Sequence, residues 1–120
     1  MDNLTPLKSR GLDWIRKQAH ISNGTAIIHT VSSGKSFYLI HSCLRMWPYA
    51  TGDKAVIFML RDANDVRIAQ IQMLYCADAE HGRGESQSYP IPLEVPEGWD
   101  ITLYANSATT THGSIFGWEE

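Results

Sequence analysis

The sequence predicts a mainly β fold, an antiparallel sandwich or barrel of about seven to eight strands preceded by one short N-terminal α-helix. Three observations carry this expectation. Residues 24–120 break into short runs in which apolar and polar residues alternate, the period of a half-buried strand. Turn signals such as Ser22-Asn23-Gly24, Asp62-Ala63-Asn64-Asp65 and Pro96-Glu97-Gly98 separate the runs at short intervals. Helical spacing of apolar residues occurs only before residue 23. The chain therefore divides into a helix and linker over residues 1–23 and a single β domain over residues 24–120.

The helix is expected to start at Thr5-Pro6, a hydroxyl cap followed by proline at the first helical position, where a missing N–H costs nothing. Leu4, Leu7, Trp14 and Ile15 form its apolar stripe. Gly11 lies inside it and weakens it by about 1 kcal/mol relative to alanine. So short a helix is marginal alone in water and needs a surface to dock on.

Strands follow from Thr25 to Val31, Ser36 to Trp47, Lys54 to Arg61 and Val66 to Cys76. In the last of these, Arg67, Ala69, Ile71, Met73 and Tyr75 share one face by alternation. The run Ala55-Val56-Ile57-Phe58-Met59-Leu60 is apolar on both faces, which suits a central strand. Tyr89, Ile91, Leu93 and Val95 alternate next, with Pro90 and Pro92 placing them at a sheet edge or a bulge. Asp100 to Ala105 and Ser114 to Trp118 complete the set.

Gly34-Lys35-Ser36 resembles the end of a phosphate-binding loop, but the first glycine of that loop would stand at position 29, which is His29. The residues that follow, Phe37-Tyr38-Leu39-Ile40, favour a strand over the helix such a loop opens. The stretch from Val31 to Leu39 is echoed from Val95 to Leu103, with glycine at matching positions 34 and 98. Both glycines mark turns that need positive φ.

Composition describes an ordinary globular chain: 120 residues, 43% hydrophobic, 19% charged and a net charge of -3. The first 20 residues are basic on balance, the rest acidic, and no concentrated basic face speaks for nucleic acid. No apolar run reaches the roughly 20 residues that span a bilayer, and the N-terminus lacks the apolar stretch of a secretory signal. Synthesis in the cytoplasm, with no membrane partner, is the expectation. Cys43 and Cys76 read as buried thiols.

The two Val-x-x-Gly corners, the Pro90-Ile91-Pro92-Leu93 edge and the closing Gly117-Trp118-Glu119 resemble small jelly-roll or β-sandwich domains of bacteriophage virion proteins and their prophage relatives. The first corner departs from the pattern, with Ser32 where proline is usual. The resemblance implies a jelly-roll-like sandwich, an anchoring N-terminal segment and heads that assemble as homo-oligomers, a trimer ahead of a dimer. Other virion proteins would then be partners.

Candidate binding residues lie in the loop 78–86: Asp78, Glu80, His81, Arg83 and Glu85, carboxylates and bases suited to a cation or a polar ligand such as a glycan. Candidate interface residues are Leu7, Trp14, Ile15 and Trp118. His29 and His41 fall on successive strands and could face one another, but the H-x-H of a cupin metal site is missing, as is the G-x-S-x-G of a serine hydrolase. His41 and Cys43 share a strand face as a possible thiolate pair. The expectation is a non-enzymatic assembly domain without cofactor. A carbohydrate- or small-ligand-binding module is the alternative, and a cupin-like metalloenzyme stands third.

Overall fold

The computed structural model describes residues 13–48, 54–76, 82–106 and 109–120. They form β1 (Asp13–Ile21), β2 (Gly24–Thr30), β3 (Phe37–Pro48), β4 (Lys54–Arg61), β5 (Arg67–Cys76), β6 (Arg83–Val95), β7 (Asp100–Ala105) and β8 (Thr109–Glu119). Two four-stranded antiparallel sheets result, ordered β1-β8-β3-β6 and β2-β7-β4-β5. Successive strands pass between sheets, apart from the β4–β5 hairpin, in the order of a jelly roll.

Residues 13–21 correct the expected helix: they are a strand, and residues 5–12 lie outside the described residues. β1 pairs with β8 along its whole length, from Asp13 opposite Glu119 to Ile21 opposite Thr111. That ladder satisfies backbone groups that a marginal isolated helix would leave to water. Ile15, Ala19 and Ile21 pack against the core at a spacing of two, with Lys17 interrupting the alternation.

β4 is central, as its two apolar faces require, and Val56, Phe58 and Leu60 face inward. Phe37, Leu39, Leu44 and Met46 of β3 meet them from the other sheet, with Ile101 and Leu103 of β7. Each fully buried Phe or Leu contributes about 1.5–3 kcal/mol of hydrophobic transfer. β6 is an edge strand, and its register slips between Leu39 and His41, so that Tyr89–Pro92 bulge there. Both places open to proline are thus used at once.

The face assigned to β5 is corrected by a second bulge. Between Phe58 and Met59 the register skips Ile71, so Gln72 and Leu74 are buried while Met73 and Tyr75 point outward. Ile71 itself still packs against the core. Gln72 is tolerated inside because Ser42 Oγ donates to its Oε1 at 2.7 Å and its Nε2 donates to the Glu85 carbonyl at 2.9 Å. The Tyr89 hydroxyl joins Ser42 at 3.0 Å, which closes a polar bridge between the sheets.

The echoed corners are turns, and they clasp each other. Lys35 N–H donates to the Ser32 carbonyl and Trp99 N–H to the Pro96 carbonyl, with Gly34 and Gly98 at φ 75 and 78. Val31 N–H donates to the Trp99 carbonyl, Gly98 N–H to the Val31 carbonyl, and Gly34 N–H to Glu97 Oε1 at 2.5 Å. No helix of the described residues is long and apolar enough to cross a membrane.

Candidate functional site

The outer face of the β1-β8-β3-β6 sheet is built in rows, because antiparallel partners stand side by side about 4.8 Å apart. The first row is Trp14, Trp118 and Tyr38; the second is Arg16, Phe116, His41 and Ser88. Gln18, Ser114, Cys43 and Ser86 follow, then His20, His112, Arg45 and Gly84. Trp47 stands beyond Arg45 at the end of β3.

Trp14 stacks on Phe116 with centroids 4.9 Å apart and planes 7° from parallel, and Tyr38 stacks on Trp118 at 5.1 Å. Trp14 meets Trp118 edge-on at 6.2 Å, and the Arg16 guanidinium lies 5.3 Å from the Phe116 ring centre. Rings stacked this way seal one end of the sheet and turn mainly their edges to water. The other end is polar and cationic, with the His20 and His112 rings 4.4 Å apart. Arg45 sits between two shallow depressions, one lined by Gln18, Cys43, His112 and Ser114, the other by Trp47, Gly82, Arg83 and Gly84.

The outer face of the β2-β7-β4-β5 sheet differs. Ile27, Ile57, Met59, Met73, Tyr75 and Tyr104 make it largely apolar. Its ion pairs gather at one end, where Arg61 reaches Asp100 at 3.1 Å and Thr30 Oγ1 donates to Asp100 at 2.7 Å, and the Arg67 guanidinium extends from there over the Tyr104 ring, 5.9 Å from its centre.

Between the sheets, His29 of β2 meets Glu119 of β8, Nε2 to Oε2 at 2.6 Å, with both residues almost fully buried. Ser32 N–H also donates to this carboxylate, at 3.3 Å. Burial is the largest influence on His29 and lowers its pKa, against the opposing effect of the hydrogen bond it donates to Glu119. Burial acts on Glu119 in the raising direction, but the hydrogen bonds from Ser32 and His29 outweigh it and its pKa is lowered. The arrangement is a neutral imidazole donating to a carboxylate, and its other nitrogen, Nδ1, has no hydrogen-bond partner among the described residues.

The expected pairing of His29 with His41 is therefore corrected: His41 points outward and lies 3.2 Å from Ser88 Oγ. The interruption of register at Leu39/His41 puts the two histidines on opposite sides of the β3 sheet. Among the described residues no group of three metal-ligating side chains occurs. Cys43 also departs from expectation, being a free, half-buried thiol on the outer face. It shares that face with His41 in the next row.

Of the candidate binding residues, Asp78, Glu80 and His81 lie outside the described residues. Arg83 and Glu85 belong to β6, paired opposite Met46 and Leu44, so the loop is shorter than the polar run suggested. Of the candidate interface residues, Trp14 and Trp118 meet edge-on on the outer face of their own sheet, whereas Ile15 packs against the core. Leu7 lies outside the described residues. Arg45 and the apolar set on the second sheet were missed, and only the correct phase of the alternation across the bulges would have found them.

No protein-family model and no curated protein matches the chain. Among solved structures, one reported as "Bacillus endospore appendages form a novel family of disulfide-linked pili" is similar at 12% identity and a TM-score of 0.41, covering 90% of this chain and 87% of that one. At that identity and score the likeness bears on no question of function.

Proposed function

We propose that this chain is a non-enzymatic assembly domain that associates with copies of itself through the outer face of the β2-β7-β4-β5 sheet. One observation carries the reading: large apolar side chains stand exposed on the two edge strands of that face, β2 and β5, on either side of a centre where Met59 and Thr102 are buried and the Arg67 guanidinium lies 5.9 Å from the Tyr104 ring centre. Ile27 is 55% exposed, and Met73 and Tyr75 are each 51% exposed. An antiparallel sheet with one solvated face normally alternates apolar-in and polar-out, and β4 does not. Exposed apolar surface of this kind marks an interaction site.

A second copy is the occupant the face suits. It is a sheet surface of aliphatic, methionine and tyrosine side chains with its ion pairs at one end, and the Arg67 guanidinium that lies over Tyr104 is held by the ring face, so an identical face can meet it with that cation kept on its aromatic partner. The resemblance of the corners and closing strand adds a finer reading, a particle or virion component; a face that meets its own copy closes as a two-fold dimer, and the trimeric heads the resemblance implies would use a second, head-to-tail contact.

Light scattering across the micromolar range tests it. The wild-type chain is expected at a multiple of its monomer mass, which also separates trimer from dimer. Ile27→Glu and Met73→Glu, both at exposed positions, should lower that mass with the β circular-dichroism signal unchanged. A wild-type chain that remains monomeric at high micromolar concentration overturns the proposal, as does one whose mass ignores both substitutions. If removing residues 1–12 from such a monomer then makes it associate, the terminal segment rather than a second copy covers the face.

A further inference from the structure

We infer that the Trp47–Arg45 end of the other sheet binds an anionic saccharide, a pyranose carrying a carboxylate or a sulfate. The site lies on the opposite outer face from the proposed self-contact and does not depend on it. Its first component is an indole placed for stacking. Trp47 lies against the backbone of Gly82, where an added Cβ would stand 2.6 Å from its Nε1 and 2.7 Å from its Cδ1. With one side held there, the residue is still 47% exposed. This is unlike Trp14 and Trp118, whose rings are stacked against neighbours.

The second component is charge without a carboxylate partner among the described residues. Arg45 stands one position from Trp47 on the same outward face, opposite Gly84, whereas Arg83 is paired with inward-facing Met46 and lines the rim of the depression from the other side of the edge strand. Among the described residues neither guanidinium has a carboxylate in ion-pair reach. A guanidinium presents its donors as a fork that fits a carboxylate or sulfate with two parallel hydrogen bonds.

The third component is room. Gly82 and Gly84 keep the edge strand low, and the open depression between them, Trp47, Arg45 and Arg83 holds about 390 Å³. Clefts for small ligands run from roughly 300 to 1,000 Å³. A sugar ring has an apolar face to lay on the indole and hydroxyls at its rim for water or backbone groups, and its acidic substituent meets Arg45. Single-stranded nucleic acid also pairs aromatic with basic side chains, but it needs a positive track along its backbone. Here Arg16 and Arg45 stand two rows apart on the outer face with the uncharged row Gln18, Ser114, Cys43 and Ser86 between them, not a continuous basic track, in a chain of net charge -3.

Calorimetric titration of the full chain tests the site with four probes: a short oligogalacturonate, a sulfated galactan oligosaccharide, the matching neutral galactan oligosaccharide and a short oligothymidylate. The first two distinguish the source of the anion. Binding to at least one of them is expected, about tenfold or more tighter than to the neutral probe, because a hydrogen bond to a charged group is involved. Arg45→Gln and Trp47→Ala should each weaken it about tenfold with no change in thermal midpoint. Gly82→Ala retains both side chains but displaces the indole, and should weaken binding as well. The proposal is overturned if neither anionic saccharide binds at millimolar concentration, if the neutral probe binds equally well, if the oligothymidylate binds more tightly than both, or if the three substitutions leave affinity unchanged.

Discussion

His29 and Glu119 join the two sheets through a single buried hydrogen bond, and they tie stability to pH. Both groups have lowered pKa values in the folded chain. The unfolded chain therefore takes up protons first as pH falls, below the ordinary 6.5 for His29 and below 4.5 for Glu119. Their contribution is complete above the histidine value and is lost progressively on acidification. Urea midpoints measured from neutral pH downward should fall in two overlapping stages. His29→Gln keeps an N–H for the carboxylate and should remove the upper stage while leaving the lower. His29→Ala leaves Glu119 buried without that donor and should destabilise the fold by about 3 kcal/mol at neutral pH. If the His29→Gln and wild-type profiles coincide, the histidine is not the titrating group. At the same scale Lys35 bridges to Asp13 with its pKa raised by that hydrogen bond, but the pair is exposed and belongs to the solvated rim.

Strand β8 shows what an element contributes beyond its alternation. Thr109, Thr111, Gly113, Ile115, Gly117 and Glu119 face inward, while His112, Phe116 and Trp118 face out. An apolar-in rule read from the sequence would turn the aromatic side to the core. The glycines are inside because Phe58 and Phe37 fill the space: a Cβ on Gly113 would come 2.7 Å from Phe58 Cζ, and one on Gly117 would strike the Tyr38 carbonyl. Gly117→Ala should therefore cost at least about 3 kcal/mol or prevent folding, since backbone cannot step aside. Gly113→Ala meets only side chains and should cost about 1–3 kcal/mol, with Phe58→Leu in the same chain recovering part of that loss. Denaturant unfolding of the three variants checks both statements. Equal losses for the two glycine variants, with no recovery by Phe58→Leu, would mean that the inward packing is looser than the distances imply. β6 makes a related point, because a connector replacing residues 78–86 would remove the pairing of Arg83–Ser86 with β3. It would also remove the Glu85 carbonyl that Gln72 uses.

At the scale of the whole molecule the two outer faces carry different chemistry and should be separable. The apolar face has β4 and β5 at its centre and edge, whereas the Trp47–Arg45 end is on β3 and β6 of the other sheet. Met73→Glu is expected to dissociate the oligomer and leave anionic-saccharide affinity within about twofold, as for sites that share no contacts. Arg45→Gln should do the reverse, with light-scattering mass intact. Loss of both properties in either variant would indicate that ligand binding requires assembly. The jelly roll permits this division because each sheet has one face committed to the shared core and one left to solvent.

Several parts of this architecture were legible in the sequence by itself. The turn chemistry at Gly34, Gly98 and Asp62-Ala63-Asn64-Asp65 located corners, because positive φ and local side-chain hydrogen bonds are properties of a few adjacent residues. The bounds of β4 and β7, the centrality of the doubly apolar β4 and the edge position of the proline-bearing β6 followed for the same local reason. Tertiary structure alone decided the rest. Trp14 and Ile15 suit a helix face or two sides of a strand, and only the partner β8 selected the strand. The bulges at Ile71 in β5 and opposite Leu39 and His41 in β3 reversed which alternate residues face inward, and a one-residue slip leaves no mark in periodicity. Glycine inward and tryptophan outward on β8 became the stable choice once phenylalanines from other strands occupied the core beside it. Face assignment depends on register, and register is settled between strands that are distant in the chain.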